Sequence, residues 1–237
     1  MPYYYSYNSS GLLLVLVCAL FAMWASANVN STFKKYSRQN SVRRITGAQA
    51  AQRVLSANGV HGVRIERVSG NLTDHFDPRT NVIRLSDSVY DSTSTAAIGV
   101  ACHEAGHAVQ YAVGYAPVKM RTAIIPITNL GAQLSTPLIV GGFILAGFAP
   151  RLIMLAYLGV ACFGLCALFQ LITLPTEFNA SRRAVETIDG MGILQGEELD
   201  GAKKVLRAAA LTYVAALAVS LMQLLRFVIM LSGRRRD

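Results

Sequence analysis

The chain has 237 residues, of which 53% are hydrophobic and 15% are charged, and its formal net charge is +9. This composition excludes a disordered chain, and it is too apolar for an ordinary soluble domain. Because the basic residues lie beside long apolar runs, anionic lipid headgroups match the positive charge better than nucleic acid does, so we expect a lipid bilayer and no nucleic acid as partner.

Four long runs without acidic or basic residues predict four transmembrane helices, because each can cross the hydrocarbon core and only a helix satisfies its own backbone there. The runs are Gly11–Ala27, Thr122–Pro150, Leu152–Leu174 and Ala208–Leu225, the last continuing past Arg226 to Leu231. No basic residue precedes the first run, which favours a retained anchor over a cleaved signal peptide. Pro126 and Pro137 interrupt the second run, so we predict its spanning part at Leu134–Ala149.

The hydrophilic segment between the first two spans predicts a small α/β unit. Thr46–Asn58 and Ser94–Val113 have the apolar spacing of helices, while Gly62–Val68 and Thr80–Leu85 resemble short strands. Between the two strands, Ser69–Arg79 is rich in turn residues. The fold is therefore predicted to be mainly α, an integral-membrane helical protein that carries one small α/β unit.

These patterns divide the chain into five parts. They are an N-terminal anchor (1–33), the α/β unit (34–121), two spans (122–174), a hydrophilic loop and helix (175–207), and a last span with a basic tail (208–237). Lys and Arg cluster in the two hydrophilic parts, so the positive-inside rule places both in the cytoplasm of a multi-pass cell-membrane protein. Arg234, Arg235 and Arg236 disagree, because four spans leave them outside, and cleavage of the first segment would reverse the orientation.

Residues 103 to 107 read His-Glu-Ala-Gly-His. On a helix, His103 and His107 lie one turn apart on the same face, so both imidazoles can bind one zinc ion, and Glu104 lies beside them as a general base for an attacking water. The alternative is a helix with two surface histidines. The surrounding residues of the helix are apolar, which favours the metal, because buried polar groups need partners.

A catalytic zinc needs a third protein ligand, and Glu177 is the best candidate. Two spans separate it from His107, so the chain has returned to the same side of the membrane. Pro175 predicts the start of a new helix there, and Glu177 could instead serve as a cap or dipole partner in its first turn. His75 is a weaker candidate within a turn, and solvated charges are expected at Glu186, Glu197 and Glu198.

Other polar residues near the motif have less certain roles. Asn179, Ser181 and Arg182 are candidates to orient the metal ligands, or else exposed residues of an amphipathic helix. The four cysteines are expected to be reduced, small apolar residues without disulfides, and Cys102 is expected to belong to the core. The group that stabilises the oxyanion stays open among Tyr111, Tyr115, Lys119, Arg182 and Tyr213.

Four segments resemble the bacterial membrane neutral zinc metallopeptidases of the YugP-like family. They are Leu72–Thr80, His103–Gln110, Leu174–Ala184 and Ala208–Ala215. The resemblance implies an integral-membrane zinc peptidase with His103, His107 and Glu177 as ligands and Glu104 as the catalytic residue. The third segment is also similar to the Glu-x-x-Ala-Asp pattern of the membrane gluzincins, including the HtpX-like and CAAX prenyl proteases, with Ser181 where those have Asp.

We therefore interpret the chain as a Zn²⁺-dependent metallopeptidase that hydrolyses a peptide or membrane-protein substrate at the cytoplasmic membrane surface, with a zincin-like α/β unit. A predicted strand precedes the motif helix, as the substrate-side edge strand does in many zincins. We expect an extended peptide to pair along its residues Asn81, Val82, Ile83 and Arg84. The alternatives are a non-enzymatic membrane protein with a structural zinc site and a zinc hydrolase that acts on a lipid or amide.

Overall fold

The computed structural model describes the backbone of residues 2–233 and the side chains of residues 11–233. Within these residues the chain is mainly helical, with one small sheet, which confirms the predicted fold class. The helices are α1 (Pro2–Tyr36), α2 (Gly47–Ala57), α3 (Thr95–Ala112), α4 (Ala116–Leu145), α5 (Ile153–Gly190) and α6 (Glu197–Gly233). The strands are β1 (Arg64–Val68), β2 (His75–Asp77) and β3 (Val82–Ser86). A short 3₁₀ turn at Pro150–Leu152 joins α4 to α5.

Four of the described helices, α1, α4, α5 and α6, are long and apolar enough to cross a membrane. The α1 and α6 helices contain their predicted runs and extend beyond them. The α4 helix begins before Thr122 but ends at Leu145, so the predicted spanning part Leu134–Ala149 reaches four residues too far, and α5 begins one residue after Leu152 and continues to Gly190. The segments of residues 2–24, 120–174 and 213–233 group into one compact unit. In this unit Ile139, Ala156, Val160 and Leu231 form a small buried cluster, and many large apolar side chains are exposed, as lipid-facing helices require.

Two helix boundaries differ from the prediction, and proline is the cause in both. The α4 helix continues through Pro126 and Pro137, and α5 continues through Pro175 to Gly190. Proline removes one backbone donor, but ending a helix in hydrocarbon would leave several polar groups unsatisfied, so the helix persists. The prediction that Pro175 starts a new helix is therefore wrong, and Glu177 does not lie in a first helical turn.

The sheet has the strand order β1-β3-β2. The β1 strand pairs parallel to β3, with Ile65 opposite Ile83, and β2 pairs antiparallel to β3, with Phe76 opposite Ile83. The β2 strand lies within Ser69–Arg79, which the sequence indicated as a turn. The prediction missed this strand because it has only three residues, in a segment rich in Gly, Asp and Pro, and so short a stretch has no strand pattern of its own. The strand β3 is thus the middle of the sheet and not an edge.

The sheet belongs to a second compact unit, Ala25–Lys119 and Pro175–Thr212, which we call the sheet unit. Its core includes Ile83, Leu85 and Ile98, all fully buried. The α2 and α3 helices begin where predicted, because Thr46 accepts from the backbone N–H of Gln49 in a capping box and Ser94 accepts from that of Ala97. The Ser94 cap fixes where α3, the helix that carries His103 and His107, begins.

All four cysteines are free, as predicted. Cys102 is fully buried on α3, and burial raises the pKa of its thiol. A neutral thiol in the core is a poor nucleophile and a poor metal ligand. Its proximity to His103 in the sequence therefore does not indicate a thiol site.

Candidate metal centre

Gly106, inside the His-Glu-Ala-Gly-His motif, brings α3 and α5 into backbone contact. A Cβ atom on this residue would lie 2.6 Å from the carbonyl oxygen of Ala180, closer than side chains approach a backbone. The glycine therefore permits a helix spacing that most residues would prevent. Glu177 lies one turn before Ala180 on α5, so this contact brings its side chain to the two histidines.

The ring nitrogens of both motif histidines face one carboxylate oxygen. The Nε2 atoms of His103 and His107 are each 3.3 Å from Oε2 of Glu177. The imidazole rings are 4.7 Å apart and nearly perpendicular. The side chains are 14%, 12% and 3% exposed for His103, His107 and Glu177, so the three groups form a largely dehydrated cluster. Within residues 2–233 this is the one group of His, Cys, Asp and Glu with the spacing of a metal site.

The spacing of these atoms fits zinc. Zinc bonds to nitrogen and oxygen are about 2.0–2.1 Å long, so adjacent ligand atoms of a tetrahedral site lie roughly 3.3–3.4 Å apart. The two nitrogen-to-oxygen distances of 3.3 Å agree with that value. Two neutral imidazoles and one carboxylate also form a donor set typical of catalytic zinc, which leaves a fourth position for water.

Electrostatics within the cluster favour a positive charge at its centre. Glu177 follows the apolar run of α5. Burial opposes its ionisation, but hydrogen bonds with both imidazoles outweigh burial and hold the pKa of its carboxyl below the usual range. Burial alone would lower the pKa of His107, but the contact with Glu177 outweighs burial, and the pKa of this imidazole is raised. The carboxylate therefore attracts a cation, either a proton on an imidazole or a metal ion.

The second ring nitrogen of each histidine has its own partner. His103 Nδ1 lies 3.1 Å from the hydroxyl of Ser181, and His107 Nδ1 lies 3.0 Å from Oε1 of Gln110. Of the residues predicted to orient the ligands, Ser181 thus contacts a histidine directly, and Asn179 does so through Gln110, 3.0 Å away. Sequence reasoning missed Gln110, although a glutamine three residues after His107 on a buried helix was a usable signal.

Arg182 does not belong to the centre, which corrects its predicted orienting role. Its side chain is 69% exposed, and it pairs with Glu186 at 3.8 Å. Consecutive residues of a helix point about 100° apart, so Ser181 and Arg182 cannot both face α3.

His75, the weaker ligand candidate, lies away from the centre, and so do the acidic residues that were expected to be solvated. His75 is exposed on β2, and its Nδ1 contacts the carbonyl oxygen of Thr73 at 2.9 Å. Glu198 accepts from the backbone N–H of Val42 at 2.7 Å, and Glu197 lies in the first turn of α6. Of the acidic residues weighed, only Glu177 reaches the histidines among the described residues.

The predicted peptide-binding role of Asn81, Val82, Ile83 and Arg84 needs correction. Val82–Arg84 belong to β3, which pairs with β1 along one edge and with β2 along the other. Both edges are already hydrogen-bonded, so no added strand can pair there. The strand beside β3 on the second side, β2, has an outer edge that pairs with no other strand of residues 2–233. Phe76 of β2 packs against Tyr111 of α3, with ring centres 5.5 Å apart.

Glu104 is 8% exposed, and its charge acts on two neighbours. It raises the pKa of His107, and it contributes to a raised pKa at Asp74, where burial is the largest cause. Asp74 also accepts from the backbone N–H of Ser86 at 2.7 Å. The buried carboxylate of Glu104 therefore places a negative charge close enough to His107 and Asp74 to affect both.

Two histidines and a carboxylate with the spacing of a metal site, on a chain with four described helices that could cross a membrane, are typical of the membrane zinc peptidases, and the family comparison agrees. The family model described as "Putative neutral zinc metallopeptidase" matches residues 11–232, so the chain belongs to that family. This confirms the resemblance found in the sequence, and it supports protease activity and zinc as the metal.

The chain is also similar to an individual protein of the same kind. It is 44% identical over 224 residues to the "Putative membrane protease YugP" of Bacillus subtilis (strain 168), and this match covers 94% of the chain and 97% of that protein. No solved structure matches the chain.

Proposed function

We propose that this protein is a membrane-integrated zinc endopeptidase in which His103, His107 and Glu177 hold the metal and Glu104 is the general base. The observation that carries the proposal is the convergence of two Nε2 atoms on one carboxylate oxygen, each at 3.3 Å. A structural zinc site would need a fourth protein ligand. Within residues 2–233 the group contains three, which supports an open position and therefore catalysis.

The chemistry divides between the metal and the protein. A bound zinc ion supplies a Lewis acid and lowers the pKa of a water molecule to near neutrality. Glu104 accepts the proton of the attacking water and later gives it to the amine of the departing peptide half.

We propose that the scissile peptide pairs with the outer edge of β2 (His75–Asp77). That edge offers main-chain N–H and C=O groups to an extended chain, as in β-strand addition. Its neighbour β3 has both edges occupied, and the contact of Phe76 with Tyr111 connects β2 to the motif helix. A substrate on this edge would therefore extend along the helix that carries Glu104.

The membrane context narrows the substrate. On α5, Glu177 comes three residues after Leu174, where the apolar run ends, a rise of about 4.5 Å along a helix. The basic residues that follow the first span and precede the fourth support a cytoplasmic site. We therefore propose that the enzyme cleaves peptide bonds in membrane proteins or membrane-bound peptides close to the cytoplasmic surface.

The test replaces Glu104 with Gln in the detergent-purified protein and measures bound zinc and cleavage of casein. We expect the variant to bind zinc as the wild type does and to lose roughly 10²–10⁴-fold in cleavage rate. The matched control is Glu186→Gln, which removes an exposed carboxylate of α5 and should change neither quantity. Cleavage that persists in Glu104→Gln, after contaminating proteases are excluded, would contradict the proposed base.

The inactive variant also tests the class of substrate. In native membranes, Glu104→Gln should retain uncleaved membrane proteins that the wild type processes, and crosslinking followed by mass spectrometry identifies them. If the variant retains lipids or small amides and no polypeptide, the centre belongs to a different hydrolase.

A further inference from the structure

We propose that Gln110 is a positioning residue that fixes the ring tautomer of His107, and that Asn179 and Arg183 hold Gln110 in the required orientation. This inference rests on the proposed function in one respect, because it concerns the same metal centre. The four side chains form one continuous path from His107 through Gln110 and Asn179 to Arg183. Gln110 is fully buried, and Asn179 is 7% exposed.

The amide of Gln110 can face only one way. Its Nε2 lies 2.7 Å from the backbone carbonyl oxygen of Thr176 and 3.0 Å from Oδ1 of Asn179. A carbonyl oxygen can only accept, so the group that faces Thr176 must be the NH₂ of Gln110. The oxygen of the same amide therefore faces His107.

The amide of Asn179 is fixed by the same kind of argument. Arg183 Nε, which can only donate, lies 2.8 Å from Oδ1 of Asn179. That oxygen consequently accepts from two donors, the guanidinium of Arg183 and the NH₂ of Gln110. The side chain at position 179 needs only an acceptor oxygen in this place.

These orientations determine which ring nitrogen of His107 keeps its hydrogen when zinc is bound. Oε1 of Gln110 can only accept and lies 3.0 Å from Nδ1, so Nδ1 carries a hydrogen, and a zinc ion that takes the place of the proton attracted by Glu177 would meet the lone pair of Nε2. The lone pair then points toward Glu177 Oε2, where the zinc ion would be held. His103 is different, since the hydroxyl of Ser181 can donate or accept and fixes neither tautomer.

The experiment compares variants by two measurements that need no hydrolysis, the zinc dissociation constant from chelator competition and the solvent exchange of the histidine Nδ1–H protons, followed by NMR in zinc-bound protein. Gln110→Met keeps the length of the side chain but cannot accept from Nδ1. We expect its zinc affinity to fall about 10- to 100-fold, the range seen when partners of metal-bound histidines are removed. We also expect the Nδ1–H proton of His107, which is protected by its hydrogen bond in the zinc-bound wild type, to exchange with solvent faster in this variant.

Two variants at position 179 distinguish an acceptor role of this side chain from a packing role. Asn179→Asp preserves the oxygen that accepts from Gln110 and Arg183, so zinc affinity should stay within about threefold of the wild type, whereas Asn179→Leu should lose about tenfold. Val109→Ala is the packing control. It removes buried volume at the residue before Gln110 and should lower the unfolding temperature while leaving zinc affinity and the exchange of the His107 Nδ1–H proton unchanged.

The inference is overturned if Gln110→Met folds and binds zinc as tightly as the wild type, if Asp and Leu at position 179 have equal effects, or if the His107 Nδ1–H proton of the zinc-bound wild type is not protected from solvent exchange. If Gln110→Met does not fold, the wild-type exchange measurement and the two variants at position 179 still decide. A wild type that binds zinc and shows the protected Nδ1–H proton but cleaves no polypeptide contradicts the proposed function and leaves this inference standing.

Discussion

The backbone contact at Gly106 gives the sharpest mutational prediction, the effect of Gly106→Ala on zinc affinity. The new Cβ atom would lie 2.6 Å from the carbonyl oxygen of Ala180 and 3.2 Å from its carbonyl carbon. Ordinary contact begins near 3.4 Å, so α3 and α5 must separate locally by about 0.8 Å, since neither backbone can rotate away as a flexible side chain would. Metal-ligand distances tolerate deviations of only about 0.2 Å.

Because Glu177 lies one turn from Ala180, that separation moves its carboxylate away from the histidines. We expect zinc affinity to fall on the order of 10- to 100-fold, as when ligand orientation is disturbed, and the free energy of unfolding to fall by about 1–3 kcal/mol from overpacking. The dissociation constant is measured by chelator competition on the folded, detergent-purified protein, and stability is measured by thermal unfolding of the metal-free form.

The matched control is Gly99→Ala, the same substitution two turns earlier on α3. The three heavy atoms nearest to its Cβ all belong to Ala202 on α6, and the nearest is Cβ at 3.3 Å. A relaxation of a few tenths of an ångström accommodates it, and alanine gains up to about 1 kcal/mol of helix propensity. If Gly106→Ala binds zinc as tightly as Gly99→Ala does, the close approach of the two helices is not what positions Glu177.

Three further predictions concern single residues. Ser181→Ala removes the partner of His103 Nδ1 and should weaken zinc binding about tenfold, whereas Ser181→Asp keeps an acceptor there and should bind at least as tightly as the wild type; chelator competition measures both. Asp74 has a raised pKa in the folded protein, chiefly from burial, so its contribution to stability is greatest at low pH and is lost as the pH rises through that pKa. Unfolding temperatures from pH 4 to 7 should therefore show the wild type losing stability relative to Asp74→Asn as the pH rises, and a pH-independent difference would contradict this assignment. Cys102 should resist maleimide in the native protein, in a variant that lacks the other cysteines, and react on unfolding, because it is fully buried with a raised thiol pKa; mass spectrometry detects the adduct, and rapid native labelling would contradict its burial.

Local patterns in the sequence predicted the parts of the centre that short-range physics determines. His103 and His107 share a face because four residues make about one helical turn, and Ser94 starts α3 because a serine side chain can cap the first backbone donors. Charge-free runs likewise predicted the four spanning helices, because hydrocarbon tolerates few alternatives.

Features that depend on contacts between distant segments were not readable in the same way. Gln110 gains its role from Asn179 and Thr176, more than sixty residues away. The β2 strand exists because β3 pairs with it, and Pro175 lies inside a helix because the surrounding medium outweighs local preference. For Arg182 the sequence left an orienting role and an exposed position open, because adjacent residues on a helix face different directions and only the position of α3 shows which of them faces the centre.

The central claim is that two imidazoles of α3 and one carboxylate of α5 share a single metal ion. Zinc content per chain, measured on purified wild type and on the single variants His103→Ala, Glu177→Gln and Glu186→Gln, tests it most directly. We predict one zinc ion per chain in the wild type and in Glu186→Gln, and a large loss in the other two. Full zinc content in Glu177→Gln, at the same free zinc concentration, would contradict the account.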